Sequence, residues 1–292
     1  MVCDLTRQAH HQALMRLKNE YEKETVFIRL MDQTREIHPG MGLRAMYEML
    51  QPDGIGRDAF IALGLRSGFR LIAVDKPVRT TFSIKTNRYR NLLVGKVFTD
   101  INQIWSSDIT YLPCLGKHYY LVMIMDVYSR RIVGYNLSDN MRAEGNFNAL
   151  KMALMTRGIS NYNNLLIHHS DKGSQYASDL YTDTLSEYRI QTSMCEEVYE
   201  NTHIERLNET IKNQYLLRWQ INNEIDLRTR VDKTILTYNY QRPHSSISNL
   251  SPVEFEQKII QIPQNQRYKL EIYTNIKPTQ IEDPNQLNLF DT

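Results

Sequence analysis

The sequence predicts an α/β chain: a mixed five-stranded sheet with flanking helices, preceded by a small α-helical module. Three observations predict it. Residues 5–36 are charged and periodic with no proline or glycine, and helical patterns continue to about residue 71. Residues 103–138 then carry three apolar runs separated by tight turns. From residue 143 onward, helical and strand patterns alternate.

The elements follow in order. Residues 5–36 read as one long helix or two, broken by HPGMG at 38–42. A short helix fits 42–51, ended by Pro52. A turn and a helix fit 54–71, with Ile55, Phe60, Ile61 and Leu63 for a core. Helix, glycine-bearing turn, helix is the outline of a helix-turn-helix, and also of many small bundles. Residues 76–100 are basic and polar and read as a linker. Strands are expected at 103–113, 118–129 and 132–138, with LGK at 115–117 turning the first pair. A helix at 143–157 has Phe147, Leu150 and Leu154 as its apolar stripe. A buried strand at 165–171, a helix at 178–188, a strand at 190–194 and a long helical stretch at 201–219 complete the core. Three antiparallel strands followed by alternating helices and strands is the element order of a ribonuclease-H-like fold.

That layout brings three acids to one place. Asp108 lies on the first strand, Asp171 ends the fourth, and Glu205 sits early on the last helix. A carboxylate on a buried strand is costly without a partner. Clustered carboxylates raise one another's pKa unless a cation neutralises them. Hard oxygen donors select Mg²⁺ or Mn²⁺. Two such ions about 4 Å apart suit transfer at phosphorus. Asp126 is expected to pin the DVYSRR turn, and Trp105 to lie in the core. His169 is either a site-ordering hydrogen-bond partner or a strand-end residue. Arg242 and His244 face either DNA or the sheet edge.

The stretches WSSDITYLP, DVYSRRIVGY, HHSDKGSQY, SMCEEVYENTHIERLNETIK and YNYQRPHSSISNLSPVEFE resemble the catalytic domain of bacterial insertion-sequence transposases. The group is the insertion-sequence-three-like one encoded in two overlapping frames, and the chain resembles its second-frame product. That group is related to retroviral integrases. The resemblance spans residues 38–258. It implies that Asp108, Asp171 and Glu205 are the catalytic, metal-binding acids, using two Mg²⁺ or Mn²⁺ ions. It implies metal-dependent nicking of DNA 3′ ends and strand transfer. Asn208 and Lys212 match family positions near the transposon end, and spacing of three and seven puts them on the helix face of Glu205. The early segment resembles the family's helix-turn-helix, where Arg57, Arg66 and Arg70 are candidate DNA contacts. A homo-oligomer on DNA is implied, and relatives often act as a fusion with an upstream-frame protein.

The sequence also departs from the family. The 33 residues between Asp171 and Glu205 are slightly fewer than usual. Glu196 and Glu197 stand where relatives carry a basic, glycine-bearing loop. Glu200 is the rival third acid, and Glu209 stands where a basic residue is common.

The domains expected are a helical segment at 1–37, a helix-turn-helix-like module at 38–75, a basic linker at 76–98, an integrase-type catalytic domain at 99–258 and a partly disordered tail at 259–292. In the tail, Gln286, Leu287, Leu289 and Phe290 belong to QLNLF, which resembles the pentapeptide that binds the DNA sliding clamp.

Bulk properties restrict the alternatives. The net charge is +2, so total charge alone announces no nucleic-acid binder. Charge is concentrated instead: residues 57–96 are rich in Arg and Lys, a pattern that tracks phosphates or a solvated face. Cys3, Cys114 and Cys195 are isolated, so no CxxC zinc site is expected and a reducing cytoplasm fits. No apolar run spans a bilayer, and a cytoplasmic, nucleoid-associated protein is expected. The rival readings are a ribonuclease-H-like nuclease without strand transfer, and a DNA-binding regulator or element remnant.

Overall fold

The structure is a computed structural model, and it describes residues 6–72, 89–159, 166–195 and 201–272. Strands β2 (Ile104–Cys114), β3 (Lys117–Asp126) and β4 (Ile132–Ser138) form an antiparallel meander. Strands β5 (Ile167–Ser170) and β6 (Gln191–Met194) add to it in parallel, giving the order β4-β3-β2-β5-β6. Leu115 and Gly116 turn the β2–β3 hairpin with φ of 56° and 74°. Two left-handed residues match the twist of the strands they join.

Strand alternation sorts the side chains into two cores. Ile104 and Leu112 of β2 face a core shared with α6 (Thr202–Gln214), α7 (Glu224–Gln241) and α8 (Pro252–Ile259). Trp105 and Ile109 face the other way, toward α4 (Ala143–Arg157) and α5 (Asp179–Glu187). Covered on both sides, β3 is buried continuously from Leu121 to Asp126, which explains its unbroken apolar run. Gly134 permits the closest approach: a Cβ there would lie 2.2 Å from the Ala149 carbonyl oxygen of α4.

Asp126 does pin the turn after β3. Its Oδ1 accepts from the backbone N–H groups of Tyr128 and Ser129, at 3.1 and 3.2 Å. Its Oδ2 accepts from Asn102 N–H at 2.7 Å and pairs with Arg157 at 3.2 Å. Arg157 and Arg131 both reach Glu256 of α8, so a buried ion network ties the sheet, α4 and α8 together.

The N-terminal residues form one long helix, α1 (Arg7–Ile37), followed by α2 (Leu43–Leu50) and α3 (Arg57–Arg66). Met31, Met41, Leu43, Met46, Phe60 and Leu63 make their small core. This unit packs on the C-terminal end of α6. His38 Nδ1 shares a 2.7 Å hydrogen bond with the Tyr215 hydroxyl. A Cβ on Gly40 would lie 2.4 Å from Gln214 Cα, so only glycine fits there.

Three expectations are corrected. The second strand ends at Asp126 rather than 129, because its carboxylate gathers the following N–H groups into a turn. The helix expected over 201–219 stops at Gln214, where Tyr215 leaves helical geometry (φ −126°, ψ −75°), and a short 3₁₀ turn follows at Leu216–Arg218. Within the tail expected to be partly disordered over 259–292, residues 267–272 are anchored. Strand β7 (Leu270–Glu271) pairs with β1 (Val97–Phe98), Leu270 and Ile272 are buried, and Arg267 pairs with Asp100.

Candidate active site

The site is built where β2 and β5 run side by side. Their last paired rung is Ser107 with Ser170. Asp108 and Asp171 are each the next residue along. Alternation puts Asp108 on the β2 face that carries Ile104 and Leu112, the face covered by Ile204, Leu207 and Ile211 of α6. The helix therefore crosses directly over the acid.

Side-chain bonds lock that crossing. Asn208 Nδ2 donates to Asp108 Oδ2 at 2.8 Å. Asp108 Oδ1 accepts from Ile109 N–H at 2.8 Å. Asn201, just before α6, accepts from the Ser106 hydroxyl and donates to the Ser107 carbonyl at 3.3 Å. On the opposite face, the Ser107 and Tyr176 hydroxyls share a 2.9 Å bond. Asp171 Oδ1 accepts from Gly173 N–H at 3.0 Å, which fixes the bend leaving β5.

Charge couples the acids. The Asp108 carboxyl is pushed up to about 8, first by burial and then by the charges of Asp171 and Glu205. The Ile109 N–H and the Asn208 amide only partly offset this. Asp171 keeps an open side, yet protein crowds its other side, and this desolvation raises its carboxyl too. Glu205 lies in the first turn of α6, where the helix dipole favours negative charge. The three acids stand within electrostatic reach but not in a closed ligand shell: among the described residues, no three His, Cys, Asp or Glu side chains are gathered tightly enough to hold an ion.

The other sequence candidates separate into groups. Lys212, one turn beyond Asn208, is half-buried, and burial lowers its pKa. It makes no ion pair with a described residue. Arg57 pairs with its neighbour Asp58 at 3.0 Å, and Arg66 pairs with Glu24 of α1. Arg70 lines a cleft with Arg35 and Arg218. None of these three candidates on the helical unit touches the acids. Trp105 is fully buried in the core. His169 is buried and bonds to Ser193 at 2.9 Å and Cys195 at 3.2 Å, which ties β5 to β6 and its exit. His244 packs its ring on Tyr238, with centroids 4.8 Å apart, and Arg242 lies 6.0 Å from the Tyr215 ring, so both belong to the fold. Glu196, Glu197, Glu200, Gln286, Leu287, Leu289 and Phe290 lie outside the described residues.

Sequence reasoning missed Asn201 and Ser106. The available signal was an Asn immediately before THIERLNE, since Asn is favoured where helices begin.

Comparison with known proteins agrees with this architecture. Family models described as "Integrase core domain" match residues 99–198 and 188–252. A 31 kDa protein of insertion element IS600 from Shigella sonnei is 34% identical over 242 residues, covering 79% of this chain and 85% of the relative. The transposase for insertion sequence element IS629 from the same species is 30% identical over 231 residues, covering 76% and 75%. Transposase InsF for insertion sequence IS3A of Escherichia coli K12 is 33% identical over 160 residues, covering 54% of each chain. Among solved structures, the HTLV-2 integrase catalytic core in complex with magnesium matches at 21% identity and a TM-score of 0.44, covering 57% of this chain and 99% of that one. The core-domain match across the acid-bearing strands and the two Shigella sonnei relatives, each aligned over three-quarters or more of both chains, place this chain in the insertion-sequence transposases with an integrase core domain.

Proposed function

We propose that this transposase cuts and joins DNA at a site formed by Asp108, Asp171 and Glu205. The observation that carries the reading is the coupling of Asp108 to both other acids where β2, β5 and α6 meet. The donor set fits divalent metal: the oxygens are hard, and their mutual repulsion is what a cation relieves. Asp108, Asp171 and Glu205 would hold two Mg²⁺ or Mn²⁺ ions, which supply activation of the attacking oxygen and stabilisation of the leaving oxygen at phosphorus.

The chain's own residues position the reaction. Asn208 holds the Asp108 carboxylate in one orientation through its amide. Asn201 fastens the start of α6 to β2, so Glu205 keeps its height above the strand. Lys212 binds a phosphate of the element's end with a charge that no acid among the described residues neutralises. Water first cuts a phosphodiester and frees a 3′ hydroxyl. That hydroxyl then attacks a second phosphodiester, forming one P–O bond as another breaks. No protein–DNA covalent link is needed.

The substrates are the element's inverted-repeat ends and a target duplex. Joining two ends needs a homo-oligomer, and residues 38–75 supply DNA contacts through Arg57, Arg66 and Arg70. An upstream-frame fusion and a sliding clamp bound through QLNLF are further partners of this reading, which places the protein on the nucleoid. Among the described residues, no helix is long and apolar enough to cross a membrane.

The test is a strand-transfer assay with Mg²⁺ or Mn²⁺ on DNA carrying the element's ends. Joined products are expected. Nicks without joining would replace the transposition chemistry with that of a nuclease, and binding without chemistry would leave a regulator.

A further inference from the structure

We propose that the cleft where the N-terminal helices meet the end of α6 binds a phosphodiester of the DNA backbone, held by Arg35, Arg70 and Arg218. The proposal rests on the transposase reading and extends it to a surface away from the acids. The cleft measures about 440 Å³, and Ser67, Gly68 and Asp32 also line it. Its arginines come from three separate places: the last turn of α1, the segment after α3, and the 3₁₀ turn after α6.

Their charge is unbalanced. Among the described residues, none of the three pairs with a carboxylate, and no ion pair joins them to Asp32. Arg35 has its pKa lowered by burial and then by the charge of Arg218, so two guanidiniums crowd one another, with Asp32 the one acid among the described lining residues. Gathering like charges is unfavourable unless an anion joins them.

Two of the donors, Arg35 and Arg218, are also held in place. Arg35 donates to the carbonyls of Pro39 at 3.1 Å and Phe69 at 2.9 Å. Arg218 donates to the carbonyls of Asn213 and Ile72, both at 2.9 Å. A guanidinium has five N–H groups, so each keeps donors beyond these bonds. Arg70 is exposed and makes no hydrogen bond to a described residue. Forked, preorganised donors match phosphate geometry.

Position favours DNA over a small anion. Arg218 bonds Asn213, the residue after Lys212, so the cleft continues the helix that carries Glu205, Asn208 and Lys212. Glu205 and Gln214 are about 14 Å apart along a helix axis, roughly four base-pair rises of a duplex. A duplex engaged at the acids and lying along α6 would reach the level of the cleft just past Lys212.

The test is fluorescence anisotropy of two labelled DNA duplexes of unrelated sequence, titrated with the full chain across a salt series. Arg70→Gln is expected to weaken both duplexes severalfold and to lower the salt slope by about one, with an unchanged melting temperature. Arg218→Gln should do the same and Arg218→Lys less, with melting curves reporting any loss of fold. Wild-type binding with unchanged slope and affinity in a folded Arg218→Gln overturns the cleft and leaves the transposase reading intact. A wild type that binds neither duplex overturns both. The second arm titrates inorganic phosphate: if it raises the melting temperature of wild type but not of Arg70→Gln, while DNA binding is equal, the cleft holds a free anion and the DNA assignment fails.

Discussion

Asn208 on α6 donates its side-chain amide to the Asp108 carboxylate on β2 at 2.8 Å, joining residues 100 apart in the chain. The bond sets the helix against the strand at the point where the acids meet. It also identifies Asn208 as a holder of Asp108, a role that spacing along the helix did not reveal.

Removing that donor should cost rate before it costs stability. A hydrogen bond to a charged group contributes about 1.5–3 kcal/mol. Asn208→Ala is therefore expected to slow strand transfer roughly tenfold to a hundredfold. Single-turnover assays beside melting curves check this. A loss of rate that only follows a loss of fold would contradict it.

Asp108 sets a pH dependence on stability. Burial and the neighbouring acids raise its carboxyl from the ordinary 3.8 to about 8 in the fold. A raised carboxyl means that folding favours the protonated form. The cost of ionising it therefore begins above the unfolded value and grows until pH reaches the folded value. Without metal, Asp108→Asn should melt higher than wild type at pH 7, and the two should converge near pH 4. Chemistry should be lost in the same variant. Metal added to wild type at neutral pH should release protons, measurable by calorimetry in buffers of different ionisation enthalpy.

Glu256 answers the opposite way. Burial pushes its carboxyl up, but Arg157, Ser129 and Arg131 together hold it below its ordinary value. Its stabilisation is present above the unfolded value and is lost as pH falls through the lowered one. Glu256→Gln removes the counter-charge of Arg131 and one of those facing Arg157, which keeps Asp126, and should destabilise the fold at pH 7 by about 1–3 kcal/mol. Denaturant melts should show the difference from wild type narrowing in acid.

The segment after α8 supplies a fourth outcome. Leu270 and Ile272 are buried, and β7 closes on β1. A chain ending at residue 262 should melt several degrees below one ending at residue 272. Equal melting temperatures would mean that the β1–β7 pair contributes nothing.

Most of the core was legible because its elements are bounded by clear breakers. The third strand at 132–138 and the helix at 143–157 have the bounds read from the sequence. Clear breakers bound both, Gly158 among them in left-handed geometry. The acids were legible because each sits at a recognisable element position. What escaped was non-local. The β1–β7 pairing joins residues about 170 apart in sequence, and two-residue strands carry no periodic signal. The early end of α6 depends on the backbone of a single residue, Tyr215, whose hydroxyl is held by His38. Asn201 and Ser106 meet only when helix and strand are packed. The arginine cleft likewise needs three distant segments to be assembled.

In the proposed reaction Glu205 completes the acid set with Asp108 and Asp171. The most direct measurement is metal-dependent joining of element-end DNA by wild type, Glu205→Gln and Glu200→Gln, with folding checked in each. Joined products are expected from wild type and Glu200→Gln, and a loss of roughly a thousandfold or more in Glu205→Gln. Full activity in Glu205→Gln, with loss in Glu200→Gln, would contradict it.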